Sequence, residues 1–81
     1  MSTQFSPTTK KRVNFACAVI LSGRNTTRKF DSCFEDGDAN QVGAGVYCRA
    51  LKNPKIMDSL SRYCDVAMCK EDYAQYFGEA A

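Results

Sequence analysis

The chain contains no histidine and no tryptophan, and its first thirty residues hold no aspartate or glutamate. Without histidine there is no Ser-His or Cys-His catalytic pair, no imidazole metal ligand and no side chain that switches charge near neutral pH. No apolar run reaches the roughly 20 residues that a membrane helix needs, and the opening MSTQFSP lacks the charged-then-apolar pattern of a secretory signal. These absences predict a cytoplasmic protein without membrane contact. What is present is 44% hydrophobic and 25% charged residue in a length of 81, the balance of one small domain. At this size burial only narrowly exceeds chain entropy, so either a monomer or a homodimer fits.

The formal charge of +2 conceals an asymmetry. Residues 1–30 carry Lys10, Lys11, Arg12, Arg24, Arg28 and Lys29 and no acid, whereas residues 31–81 carry five cations against nine anions. A basic third next to an acidic remainder suits an acidic protein face or a phosphate backbone, with salt-sensitive association. The plainer reading is a solvated surface.

Residues 1–11 are rich in Ser, Thr and Lys with no apolar period, and are expected to form a flexible N-terminal tail. From Val13 to Ser22 the odd positions Val13, Phe15, Cys17, Val19 and Leu21 are bulky and apolar and the even ones mostly small or polar, the pattern of a strand with one buried face. Gly23, Arg24 and Asn25 suit a tight hairpin turn, and a second strand follows from Thr26 to Phe34, placing Phe30 and Phe34 beside Phe15 and Val19.

Residues 35–38 read as a turn, with Asp38 and Gln41 resembling a helix cap and its reciprocal partner. A helix over 39–52 would bury Val42, Val46, Ala50 and Leu51, opposed by Gly43 and Gly45, which leave a strand over 46–51 as the competing reading. Asn53 and Pro54 stop that helix and start another to about Ala67, with Ile56, Met57, Leu60, Tyr63 and Cys64 at helical spacing. A last helix is expected from about Lys70 to Phe77, closed by Gly78. The expected fold is thus α+β: an antiparallel hairpin packed on two or three helices, in a single domain over residues 12–81. Its expected core is Val13, Phe15, Cys17, Val19, Phe30, Phe34, Val46, Leu51, Ile56, Leu60, Tyr63 and Cys64.

Five cysteines give an odd count, unlike a disulfide framework, and only Cys64 and Cys69 approach the spacing of a zinc pair, without a second pair to complete it. Free buried thiols are the expectation, with Cys69 the most reactive because it lies near a helix start. Glu35, Asp36 and Asp38 lack the loop of a calcium hand, and Gly43-Ala44-Gly45 is too short for a nucleotide loop. Asn25-Thr26-Thr27 matches a glycosylation sequon but reads as part of the turn. Residues 60–67 (LSRYCDVA) loosely resemble the first helix and turn of a helix-turn-helix. The pattern departs at Glu71, where an apolar residue belongs, and the following helix would present acid to phosphates.

No catalytic constellation, metal site or cofactor motif emerges. The expectation is a non-catalytic protein that binds and sterically blocks a larger macromolecular complex, a host protein or nucleoprotein assembly. Small inhibitors carried by phages and mobile elements, anti-CRISPR proteins among them, are the class this profile suggests. The expected contact residues are Lys10, Lys11, Arg12, Arg24, Arg28 and Lys29, with Tyr73 and Tyr76 forming a second patch. The alternative is direct nucleic-acid binding through the basic hairpin.

Overall fold

A computed structural model describes residues 5–23, 27–34 and 37–78. Its described elements are all α-helices: α1 (Pro7–Ser22), α2 (Thr27–Ser32), α3 (Ala39–Lys52), α4 (Pro54–Leu60) and α5 (Val66–Phe77). The α+β expectation is therefore corrected, because both segments assigned to the hairpin are helical and no strand occurs among the described residues. Arg24, Asn25 and Thr26, on which the turn was placed, lie outside those residues.

The first correction has a local cause. Ser6 caps α1 by accepting a hydrogen bond from the Thr9 amide at 3.2 Å, Pro7 occupies the first turn with its φ already helical, and Gly23 closes the helix at φ 68°. With both ends signalled, the apolar run between them follows the helical period. Thr9, Val13, Ala16, Cys17, Val19 and Ile20 are buried, while Phe15 and Leu21 remain 47% and 48% exposed. Alternation had placed both in a core face, yet residues two apart on a helix point away from each other. Pro7 to Lys11, assigned to the tail, form the start of α1, with Thr9 buried against α3.

The segment read as a second strand holds the six-residue α2, anchored by Phe30. Phe30 is fully buried, its ring centroid 4.9 Å from that of Phe34 and 5.0 Å from that of Tyr63. Such aromatic pairs add about 0.5–1.5 kcal/mol beyond burial, enough to hold a helix too short to form alone.

Helix α3 spans the expected residues, and the competing strand does not form. Its glycines are where neighbours come closest. A Cβ on Gly45 would lie 2.5 Å from Val13 Cγ2 of α1, and one on Gly43 would lie 2.8 Å from Asp72 Oδ2 of α5. The residues that weakened the helix reading are therefore those that let two helices pack closely on α3. Leu51, expected in the core, is 52% exposed.

The helix expected from Pro54 to Ala67 is divided. Asn53 caps α4 by accepting from the Lys55 amide at 3.0 Å, as its sequence suggests, but α4 ends at Leu60. Asp65 then caps α5, its carboxylate accepting from the Ala67 amide at 2.9 Å. An aspartate offering its own acceptor to the backbone favours a new helix start over continuation. Helix α5 consequently begins four residues before the expected Lys70 and ends at Gly78 as expected, φ 75°. The buried cluster draws on Val13, Cys17, Ile20, Phe30, Val42, Val46, Ile56, Leu60 and Cys69, so every helix contributes.

Candidate functional site

Lys10, Lys11 and Arg12 occupy consecutive positions near the N-terminus of α1, where the helix dipole favours anions. Arg12 is held: Nη1 donates to the Ser32 carbonyl at 3.4 Å, and Nε lies 3.9 Å from Asp38 Oδ1. Asp38 was expected to cap α3 through its side chain, but no such bond forms. Its Oδ2 instead accepts from the buried Thr9 hydroxyl at 2.7 Å, while the Ser6 hydroxyl donates to Thr9 Oγ1 at 3.0 Å. Ser6, Thr9, Arg12, Ser32 and Asp38 thus join the start of α1 to the end of α2 and the head of α3.

This junction sets Lys11 and Arg12 on the edge where α1 meets α2. Helix α2 folds back along α1 and brings Ser32 to Arg12, leaving an open groove of about 280 Å³ lined by Thr8, Lys11, Arg12, Phe15, Ser32 and Cys33. Lys10, Lys11, Arg28 and Lys29 are exposed, with no ion pair to any described residue. Exposed Phe15 lines the groove with Lys11 and Arg12. A face combining unneutralised cations with an accessible aromatic can attract an anionic surface and bury apolar area on contact. The structure therefore places Lys11 and Arg12 on the face of α1 that meets α2, the helix that carries Arg28 and Lys29, whereas Lys10 turns to a separate cavity shared with Phe5, Arg49 and Phe77. Arg24 lies outside the described residues. Phe15 was missed as a surface residue because alternation counted it as core.

Tyr73 and Tyr76 lie elsewhere, in an aromatic group that joins α5 to α3 and to Phe5. Tyr73 stacks on Phe77 at 5.0 Å and meets Tyr47 at 5.4 Å, while Phe5 packs edge-on against Tyr76 and Phe77 at 6.0 and 5.6 Å. Both tyrosines are half-buried.

A second cleft, of about 320 Å³, opens between α2, α3 and α5. Cys64 and Cys69 line it with their sulfurs 3.2 Å apart, and Asp31, Asp65 and Asp72 lie around them. The hydrogen bond shared with Cys69 lowers the pKa of Cys64, against burial and the nearby carboxylates. Cys69 is pushed strongly up by its hydrogen bond with Cys64, by burial and by the negative charge of Asp72 and Asp65. The order expected from the sequence is thereby reversed, and Cys64 is the more acidic thiol. Burial raises Cys17 and Cys33 as well. Among the described residues no group of three or more potential ligands is arranged to hold a metal ion, and no helix is long and apolar enough to cross a membrane. The departure from a helix-turn-helix stands out on α5, where Lys70 and Glu71 are exposed side by side.

No protein-family model, curated protein or solved structure matches this chain.

Proposed function

We propose that this is a non-catalytic binding protein whose α1–α2 edge docks on an acidic surface of a larger macromolecular complex and blocks access to it. The observation that carries this reading is exposed Lys11 beside the accessible ring of Phe15 in the α1–α2 groove, with exposed Arg28 and Lys29 on α2, all three cations without ion-pair partners among the described residues. The cations supply steering and orientation, and Phe15 supplies the desolvated contact that charge alone lacks. An inhibitor of host machinery, of the kind mobile elements carry, is the specific form proposed.

The test is affinity capture from nuclease-treated host lysate with the native chain beside a Lys11→Glu, Arg28→Glu, Lys29→Glu variant. Retention of one stoichiometric protein complex by the native chain and its loss by the variant is the expected outcome. The competing reading is direct nucleic-acid binding by the same cations. It predicts that capture disappears on nuclease treatment and that affinity falls with salt at a slope of about 0.9 per phosphate contacted.

A further inference from the structure

We propose that Cys64 and Cys69 form a peroxide-responsive dithiol that closes reversibly to a disulfide across the turn between α4 and α5. Three observations converge on this pair. The sulfurs are already in contact at 3.2 Å, so bond formation asks for roughly 1 Å of further approach. Cys64 lies in the connecting turn, just before the cap of α5, so its backbone can move without breaking a helix. Both thiols line an open cleft that a small oxidant can enter. Cys17 and Cys33 are buried apart from that cleft.

The reaction balances with hydrogen peroxide as the oxidant. The Cys64 thiolate attacks one peroxide oxygen, an S–O bond forms, the O–O bond breaks, and the departing hydroxide takes a proton to leave as water. Cys69 then attacks the sulfenic sulfur, the S–S bond forms, and the S–O oxygen departs as a second water carrying the Cys69 proton. Two thiols lose two electrons and two protons, and one peroxide becomes two waters. The roles follow from position: Cys64, half-buried in the turn, is the thiol the oxidant reaches, and Cys69, 4% exposed on α5 and in contact with it, is the resolving thiol. The carboxylates of Asp31, Asp65 and Asp72 line the same cleft and favour a small neutral oxidant over an anionic disulfide such as oxidised glutathione.

The experiment treats the reduced full chain with hydrogen peroxide, blocks remaining thiols and maps the cross-link by peptide mass spectrometry. The expected result is an intramolecular Cys64–Cys69 bond formed at least about 10-fold faster than any oxidation of Cys17 or Cys33, and reversed by dithiothreitol. In Cys69→Ser, Cys64 should persist as a sulfenic acid that dimedone captures, and in Cys64→Ser the remaining Cys69 should resist peroxide. Peroxide treatment that leaves the native pair unlinked, or oxidises Cys17 or Cys33 as quickly, would overturn the proposal. The native chain alone decides this, whether or not either variant folds.

Discussion

The helices around α3 and the edge formed by α1 and α2 are built on opposite terms. Around α3, glycines bring helices to contact distance, and Val42, Ala44 and Val46 are sealed from solvent. Along the edge, a six-residue helix rests on one buried phenylalanine, and the outer surface carries cations without partners among the described residues. Close packing around α3 concentrates stability in a few positions. The edge can then carry like charges near a helix N-terminus that favours anions, an arrangement that contributes nothing to folding and suits a partner of opposite charge.

Phe30→Ala should break this division most sharply. Loss of the fully buried ring costs about 3–5 kcal/mol, and hydrogen exchange should show α2 opening while α3 and α5 remain protected. Uniform loss of protection across all five helices would instead make α2 part of the central core. Asp38→Ala comes next, at about 1 kcal/mol by denaturant titration, because it removes the acceptor that ties the buried Thr9 hydroxyl, and the anion beside Arg12, to the head of α3.

The two glycines sharpen the comparison. Gly45→Ala drives a methyl into the stiff, buried Val13, and overpacking outweighs the gain in helix propensity by roughly 1 kcal/mol. Gly43→Ala meets only the end of the Asp72 side chain, which can swing away, so thermal unfolding should show little loss or a gain.

The smallest effect belongs to Asp72, whose pKa is raised by burial and by Glu71. A raised carboxylate pKa means that the folded state binds its proton more readily than the unfolded state. The ionised form therefore disfavours folding above that pKa, and this penalty is relieved as pH falls through it. Asp72→Asn should raise Tm slightly at neutral pH, and its advantage over the native chain should shrink on acidification.

Much of the second half of the fold is legible in the sequence. The residues of α3, the Asn53–Pro54 junction and the Gly78 stop all carry signals that act within a few residues. The first half misleads for a physical reason. A run such as Val13 to Leu21 satisfies a two-residue period and a helical one together, and the deciding information lies outside it, in Ser6, Pro7 and Gly23. The basic residues of the candidate face are identifiable by charge alone, and their placement on two adjacent helices is not. Phe15 joins them only once the helical period turns it outward. Cys64 and Cys69 stand out by spacing, but their contact depends on Asp65 breaking the helix between them.

The most direct test of the binding edge is to measure Tm and partner capture together for a Lys11→Glu, Arg28→Glu variant. The substitutions remove two exposed cations without ion-pair partners among the described residues, and the anion at position 28 lies in the first turn of α2, where the dipole favours it. The account predicts that Tm holds or rises while capture of the macromolecular partner is lost. Capture at the native level with Tm unchanged would contradict it, showing these cations to be ordinary solvated charges.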